Sequence, residues 1–351
     1  MEKINKNQQE VLNIVHRYGP IRSSEIYEIF RKNEEAPALV TIKRVLSKLQ
    51  SEGFLSVSGM GPSTAYVMSE YGKLMSAVDA AEYCLQEPDA RYGSEKYDFN
   101  LFSAINFDPF LSHEKDILFN ATELYKNKIK GISEGLHKKE LERFVIELSW
   151  KSSKIEGNTY TLLDTENLIL YGIEAPGHSK HEAQMILNHK EAFVFVHDNK
   201  NKFAGLTLSN LIDLHKIIVR GLNIEYDIRS KPVGITGSRY RPLDNKYQIT
   251  EAVNALSEAV NRLSEGYAKA MLALLGISYI QPFEDGNKRT SRLMANAILL
   301  SCGLPPLSYR SIDEKKYREA LTVFYELNSI IPFKNIFIEQ YDFAARNYLV
   351  D

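Results

Sequence analysis

Ile280-Gln281-Pro282-Phe283-Glu284-Asp285-Gly286-Asn287-Lys288-Arg289-Thr290-Ser291-Arg292 is the stretch whose reading decides the fold. Upstream, Ala268 to Ile280 is apolar enough for a buried helix. Downstream, Leu293, Ala297 and Leu300 recur at helical spacing until Gly303 and Pro305 end the run. The quoted residues therefore predict a loop between two core helices. Gly286 permits close backbone approach. The amides of Gly286 to Lys288 fall at the start of the second helix, where N–H groups without helical acceptors and the helix dipole favour an anion. Arg289 and Arg292, three apart, project from that first turn and suit phosphate oxygens. Asp285 supplies the hard oxygen that Mg²⁺ prefers, with most other ligands left to water and phosphate. Residue chemistry alone thus describes a polyphosphate and metal cradle, with ordinary Gly, Asn and Arg helix capping as the competing reading.

Outward from this loop the signals are overwhelmingly helical. From Ser112 on, Leu141, Phe144, Val145 and Leu148, then Ala183, Ile186, Leu187 and Phe193, then Leu211, Leu214 and Ile218 follow helical spacing. The one extended exception is Lys231 to Pro242, with two glycines. The expectation is a mainly α protein with a small β-hairpin flap. His178, His181, His189 and His197 read as polar helix surface, since their order is not that of a zinc protease. Trp150 reads as core or as a hinge.

The first 75 residues predict a separate unit. Val11, Leu12 and Val15 mark a first helix, stopped by Gly19-Pro20; Ser23 or Ser24 caps a second through Phe30. Ile42, Val45, Leu46 and Leu49 mark a third, and two short β runs flank Gly59-Met60-Gly61-Pro62. Three helices and a wing make a winged helix-turn-helix, whose third helix offers Lys43, Arg44 and Lys48 to DNA. Ten Lys/Arg against eight Asp/Glu through residue 75 is a weak electrostatic footprint, so dimerisation or protein docking competes with DNA binding. The organisation expected is a winged helix at 1–75, a connector at 76–111 packing on the next domain, and a helical domain at 112–351.

The whole chain has 351 residues with 43 Lys+Arg against 45 Asp+Glu, so no global field draws it to nucleic acid or an anionic membrane. Two cysteines, Cys84 and Cys302, are too few for a disulfide framework or a thiolate zinc site. Met1 to Lys6 lacks the apolar core of a signal peptide, and the longest apolar stretch, Met271 to Ile280, is far short of the roughly 20 residues that span a bilayer. The expectation is a cytoplasmic protein without a membrane partner.

The central stretch resembles the Fic (filamentation induced by cyclic AMP) family motif H-x-F-x-[DE]-G-N-[GK]-R-x-x-R, matched at Phe283, Asp285, Gly286, Asn287, Lys288, Arg289 and Arg292. The likeness covers roughly Ser112 to Asp351, and bacterial members often carry an N-terminal winged helix. The resemblance implies transfer of AMP from ATP to a Ser, Thr or Tyr hydroxyl of a protein. It assigns Mg²⁺ to Asp285 and the α- and β-phosphates to Asn287 and the loop amides of Gly286 and Lys288. Arg289 would support the phosphates and the helix turn, Arg292 would reach the γ-phosphate, and Tyr317 would line the adenine pocket. One position departs from the motif: the family's histidine, the general base, is Gln281 here. A carboxamide cannot accept a proton at neutral pH, a loss of roughly 10²–10⁴-fold. Either the histidine has been replaced in this chain, or the natural protein has weak, altered or lost activity.

Ser152-Ser153-Lys154-Ile155-Glu156-Gly157-Asn158 resembles the family's inhibitory motif [ST]-x-x-x-E-[GN], with Ser152, Glu156 and Gly157 in register. The resemblance implies that Glu156 pairs with Arg292 and blocks γ-phosphate placement. It likewise makes Thr236, Gly237 and Ser238 the tip of a flap that aligns a target peptide by strand addition. Competing readings are a DNA-binding regulator whose Fic domain senses nucleotide without catalysis, and a catalytically dead nucleotide-binding module. A homodimer, the target protein and the choice of ATP over UTP or GTP stay open.

Overall fold

The computed structural model describes residues 4–32 and 37–350. Glu2, Lys3, Glu34 and Glu35, counted in the charge of the N-terminal segment, lie outside these residues, as does Asp351 at the end of the expected Fic-like region. Packing divides the chain into two compact units. One comprises residues through Ile105 with Ile235–Tyr240 and Arg318–Phe333; the other holds Asn106–Gly234, Arg241–Tyr317 and the chain from Lys334 on.

The N-terminal part of the first unit begins with helices α1 (Lys6–Tyr18), α2 (Ser23–Arg31) and α3 (Leu39–Ser51). Asn5 starts α1 with a reciprocal cap: its Oδ1 accepts from the Gln8 amide at 3.0 Å, and Gln8 Oε1 accepts from the Asn5 amide at 2.9 Å. Of the apolar positions read at helical spacing, Val11, Leu12, Val15, Ile42, Leu46 and Leu49 are buried and Val45 is half-buried; Ile26 and Phe30 of α2 are buried with them. Strands β1 (Leu55–Ser58) and β2 (Ala65–Met68) pair antiparallel, Leu55 opposite Met68, and Ile21 adds an isolated bridge to Tyr66. Short helices α4 (Glu70–Met75) and α5 (Ala80–Cys84) follow.

The second unit is helical: α6 (Ser112–Ile129), α7 (Glu134–Ile155), α8 (Leu162–Tyr171), α9 (Lys180–Asp198), α10 (Leu208–Ile218), α11 (Lys246–Arg262), α12 (Gly266–Ile280) and α13 (Asn287–Ser301). Helix α14 (Glu314–Leu327) begins in this unit and ends in the first; α15 (Ile331–Asn347) runs the other way. Almost every residue of α12 is buried, as an all-round apolar helix demands. Gly276 lets it approach α11, because a Cβ there would stand 2.3 Å from Leu256 Cδ1. Packed against α13, α12 forms the centre on which the quoted loop rests. No helix among the described residues is long and apolar enough to cross a membrane.

The hairpin expected at Lys231 to Pro242 is a correction. The segment forms no paired strands; its only local backbone bond closes a turn from the Ser238 amide to Ile235 O at 3.1 Å. The cause is that a backbone donor and a backbone acceptor of the segment bond to distant side chains. Glu326 Oε1 accepts from Ser238 Oγ at 2.7 Å and from the Arg239 amide at 3.1 Å, while Arg91 Nη1 donates to Gly237 O at 2.9 Å. Pro232 and Pro242 have no N–H to offer a ladder.

Candidate active site

The loop is built as its sequence predicts, between α12 and α13, and its shape is fixed by side chains. Gln281 ends α12 in the left-handed region at φ 51°, an uncommon place for a non-glycine residue that costs about 1–2 kcal/mol. Its amide still donates to Ile277 O at 3.0 Å, and its Nε2 turns back to Ser278 O at 2.6 Å. Asn287 spends both ends of its carboxamide on one residue: Oδ1 accepts from the Phe283 amide at 2.9 Å and Nδ2 donates to Phe283 O at 2.8 Å. In this arrangement Asn287 templates the loop. Phe283 is fully buried, as expected of an anchor. Gly286 begins α13 at φ 77°, where a Cβ would also press on Val219, Ile218 and His215 at 3.2–3.4 Å.

Two arginines then project from the first turn of α13, and both are buried. Arg289 reaches Asp285 Oδ2 with Nη2 at 3.4 Å, and its Nη1 has no hydrogen-bond partner among the described residues. Burial pushes the Arg289 pKa down, only partly countered by Asp285. Arg292 uses all three of its nitrogens. Its Nε donates to Ser152 Oγ at 2.9 Å, Nη2 to Ser152 O at 2.8 Å and Nη1 to Glu156 Oε1 at 2.8 Å. Burial opposes its charge too, but Glu156 prevails and the pKa is raised. Lys288 Nζ stands 3.9 Å from the other Glu156 oxygen. Tyr317, buried, lies under Arg292 with 5.9 Å from the guanidinium carbon to the ring centre.

Glu156 reaches Arg292 because α7 ends there: the turn that follows runs through Gly157 at φ 96°. Downstream, Glu182 straps that turn. Its Oε1 accepts from the Thr159 amide and hydroxyl at 2.8 and 2.6 Å, and Oε2 from the Ser179 amide and hydroxyl at 3.1 and 3.0 Å. Trp150, half-buried, donates from its indole to Tyr160 O at 3.1 Å, on the far side of the same turn.

The structure thus brings together Gln281, Asp285, Gly286, Asn287, Lys288, Arg289, Arg292, Ser152, Glu156, Gly157 and Tyr317. Thr236, Gly237 and Ser238 belong to the other unit, where Arg91 holds Gly237 and Glu326 holds Ser238.

Sequence reasoning missed three residues. His215 stacks on Phe283 with ring centres 3.6 Å apart, and its Nε2 lies 2.9 Å from Asp285 O. Its Nδ1 lies 3.2 Å from Tyr226 O, and burial lowers its pKa to about 4 against these two backbone carbonyls, which favour the charged ring. His189, read as polar surface, is a correction: it is fully buried with neither ring nitrogen partnered among the described residues. Burial, then Arg292 and Arg289, drive its pKa well down, so it stays neutral. The signal was present in both cases. Leu211, Leu214, His215 and Ile218, and Ile186, His189, Phe193 and Val196, sit at helical core spacing. The third, Arg229, is buried beside the loop. No group of three or more His, Cys, Asp or Glu suited to a metal exists among the described residues.

The profile of the Fic/DOC family matches residues 205–299, which contain this loop and the helices around it. Over these residues the chain is similar to the Fic/DOC family. A protein adenylyltransferase Fic from Nematostella vectensis is 30% identical over 176 residues, 49% of this chain and 41% of that protein. The Culex quinquefasciatus protein of the same name is 28% identical over 213 residues, 59% of this chain and 42% of its own length. The matches thus span about two fifths of these curated relatives. Among solved structures, Fic-1 (residues 134–508) from C. elegans superposes with a TM-score of 0.57 at 20% identity, covering 71% of this chain and 80% of that one. A Fic-domain signalling protein from Bacteroides thetaiotaomicron gives 0.56 at 22%, covering 66% and 94%. The Fic fold is therefore common to this chain and these structures.

Proposed function

We propose that this chain is a protein adenylyltransferase scaffold. It moves AMP from ATP to a Ser, Thr or Tyr hydroxyl of a protein, is restrained by Glu156, and in the present sequence lacks its base at Gln281. The observation that carries the reading is the pair of buried arginines at the start of α13: one keeps an unpartnered Nη1, the other is held by a carboxylate. A buried guanidinium with a free donor is costly unless an anion completes it. The fit to a nucleotide polyphosphate also draws on the first-turn amides of α13, which have no helical acceptor. Asp285, whose side chain is mostly exposed, is the carboxylate available to Mg²⁺. A bound Mg²⁺ would neutralise charge developing on the phosphates.

This chain's own groups then do the following work. Arg289 and the loop amides hold the phosphates in line, Asn287 keeps the loop shape, and Tyr317 walls the pocket behind Arg292. Gln281 can hydrogen-bond the incoming hydroxyl but cannot take its proton, so transfer is slow. Glu156, paired to Arg292, competes with the γ-phosphate for the same guanidinium. Residues 1–75 are read as a winged helix, with Lys43, Arg44 and Lys48 exposed on α3 for a nucleic-acid backbone.

Gln281→His tests the reading. Incubated with α-labelled ATP, it should raise self- or lysate-labelling by about 10²–10⁴-fold over the present chain, while ATP affinity by calorimetry changes only a few-fold. Equal labelling by the two forms would place the base elsewhere. No labelling by either, even with Glu156→Gly added, would leave a nucleotide-sensing domain.

A further inference from the structure

Arg229 ties the base position to the root of the flap. It is nearly fully buried, at 2% exposure, two residues before Lys231. Its Nε donates to Gln281 O at 2.7 Å, its backbone N–H to Pro282 O at 3.0 Å, and its Nη1 to Lys231 O at 2.7 Å. One planar guanidinium therefore bridges two chain segments 50 residues apart in sequence. A second, weaker tie runs in parallel, from Lys231 Nζ to Glu284 Oε1 at 3.2 Å. The lysine is 71% exposed, so this tie adds little.

The bridge meets a specific need. α12 ends at Ile280 and Gln281 turns left-handed, so the carbonyls of Gln281 and Pro282 have left the helical ladder and point away from its donors. Any side chain at position 281 takes its direction from that backbone, and a non-glycine residue at positive φ persists only where its surroundings fix it. His215 pins Asp285 O on the other side of the loop, and Asn287 pins Phe283 between them. Of these pins, Arg229 alone also reaches the segment leading to Thr236, Gly237 and Ser238.

We propose that Arg229 is a positioning residue that sets the base and the flap root in one register, so that the attacking hydroxyl and the group that deprotonates it are aligned together. The proposal rests on the transferase reading above. Lysine cannot substitute fully, because a point ammonium lacks the planar fork that spans both carbonyls.

The test uses the full chain carrying Gln281→His and Glu156→Gly, with Arg229→Met and Arg229→Lys added singly. Displacing a reacting group by about 1 Å costs on the order of 10²-fold in rate. Arg229→Met should therefore lower kcat by about that factor, with the KM for ATP within about threefold, and Arg229→Lys should recover part of the loss. Amide exchange provides a readout that needs no activity. In the present sequence, Arg229→Met should speed exchange in the peptide covering 278–287 and leave the 293–300 part of α13 unchanged. Unaltered exchange at 278–287 overturns the proposal. Uniformly faster exchange through α12 and α13 with loss of ATP binding also overturns it, because Arg229 would then be ordinary core. If the parent double variant transfers nothing while exchange is local as expected, the positioning stands and the transferase reading falls.

Discussion

Arg289 and Arg292 leave the same helical turn, three residues apart, yet live in opposite electrostatic circumstances. Both are buried, so both carry the desolvation cost of a charge removed from water. Around Arg292 that cost is answered in full: a carboxylate, a hydroxyl and a carbonyl take its donors, and its pKa rises. Around Arg289 the answer is partial: one long contact to a mostly exposed Asp285, an unpartnered Nη1, and a lowered pKa. The difference teaches where the site has binding capacity to spare. Arg289 gains a partner when an anion arrives; Arg292 must give one up.

The largest effect should follow from breaking the open side of that comparison. Hydrogen bonds to charged groups contribute about 1.5–3 kcal/mol, so Arg289→Met should weaken ATP binding by roughly 10- to 100-fold in calorimetry. Arg292→Met in the same chain, with Glu156 in place, should change affinity by less than about threefold, because its donors are already committed. Equal losses from the two substitutions would mean that Glu156 does not hold Arg292 in solution.

Sharpening the closed side should give a smaller change. Glu156→Gly removes the ion pair and frees one Arg292 nitrogen, so transfer by the Gln281→His chain should rise by about 10-fold, the value of roughly 1.4 kcal/mol. Ser152→Ala removes only a hydroxyl acceptor and leaves Ser152 O in place, so the rise should be no more than about threefold. A larger gain from Ser152→Ala than from Glu156→Gly, read as labelled product per minute, would make the hydroxyl the restraining group.

How far the sequence foretold this site depends on whether a pattern is local or requires folding. The loop was legible because its chemistry is contiguous: an apolar run, Gly286 and two arginines within one turn. Most helices were legible by spacing, and α12 by its unbroken apolar run. His189 was misread because a histidine in a helical stripe was judged by polarity instead of by position, and His215, in a stripe of the same kind, was passed over. Arg229 was invisible, since nothing in Ile228-Arg229-Ser230 announces a partner 52 residues away. The flap hairpin failed for a related reason. Its glycines and β-type residues suggested a ladder, but a distant carboxylate, Glu326, takes the Arg239 backbone N–H and the Ser238 hydroxyl instead.

The smallest expected effect lies behind the closed side, in the strap that keeps Glu156 in place. Glu182 accepts four hydrogen bonds, from Thr159 and Ser179, and these, with the Thr159 side-chain bond foremost, hold its carboxyl at about 2, below the ordinary 4.5. A carboxyl whose pKa is lower folded than unfolded stabilises the fold above the unfolded value and loses that contribution as pH falls toward the folded one. The window is therefore pH 4.5 down to 2. The Glu182 side chain keeps 20% exposure at the surface of the turn, so water screens the charge in part and the contribution is small. Glu182→Gln should lower the urea midpoint slightly at pH 7, and the gap to the unsubstituted chain should narrow steadily below pH 4.5. In the Gln281→His background the same substitution should raise transfer by less than about threefold at neutral pH, since Glu156 keeps its own contact with Arg292 while the turn after it loosens. A midpoint gap that stays constant from pH 7 to pH 2.5 would show that the Glu182 charge contributes nothing, and that the turn is held by the backbone path through Gly157 and Asn158 alone.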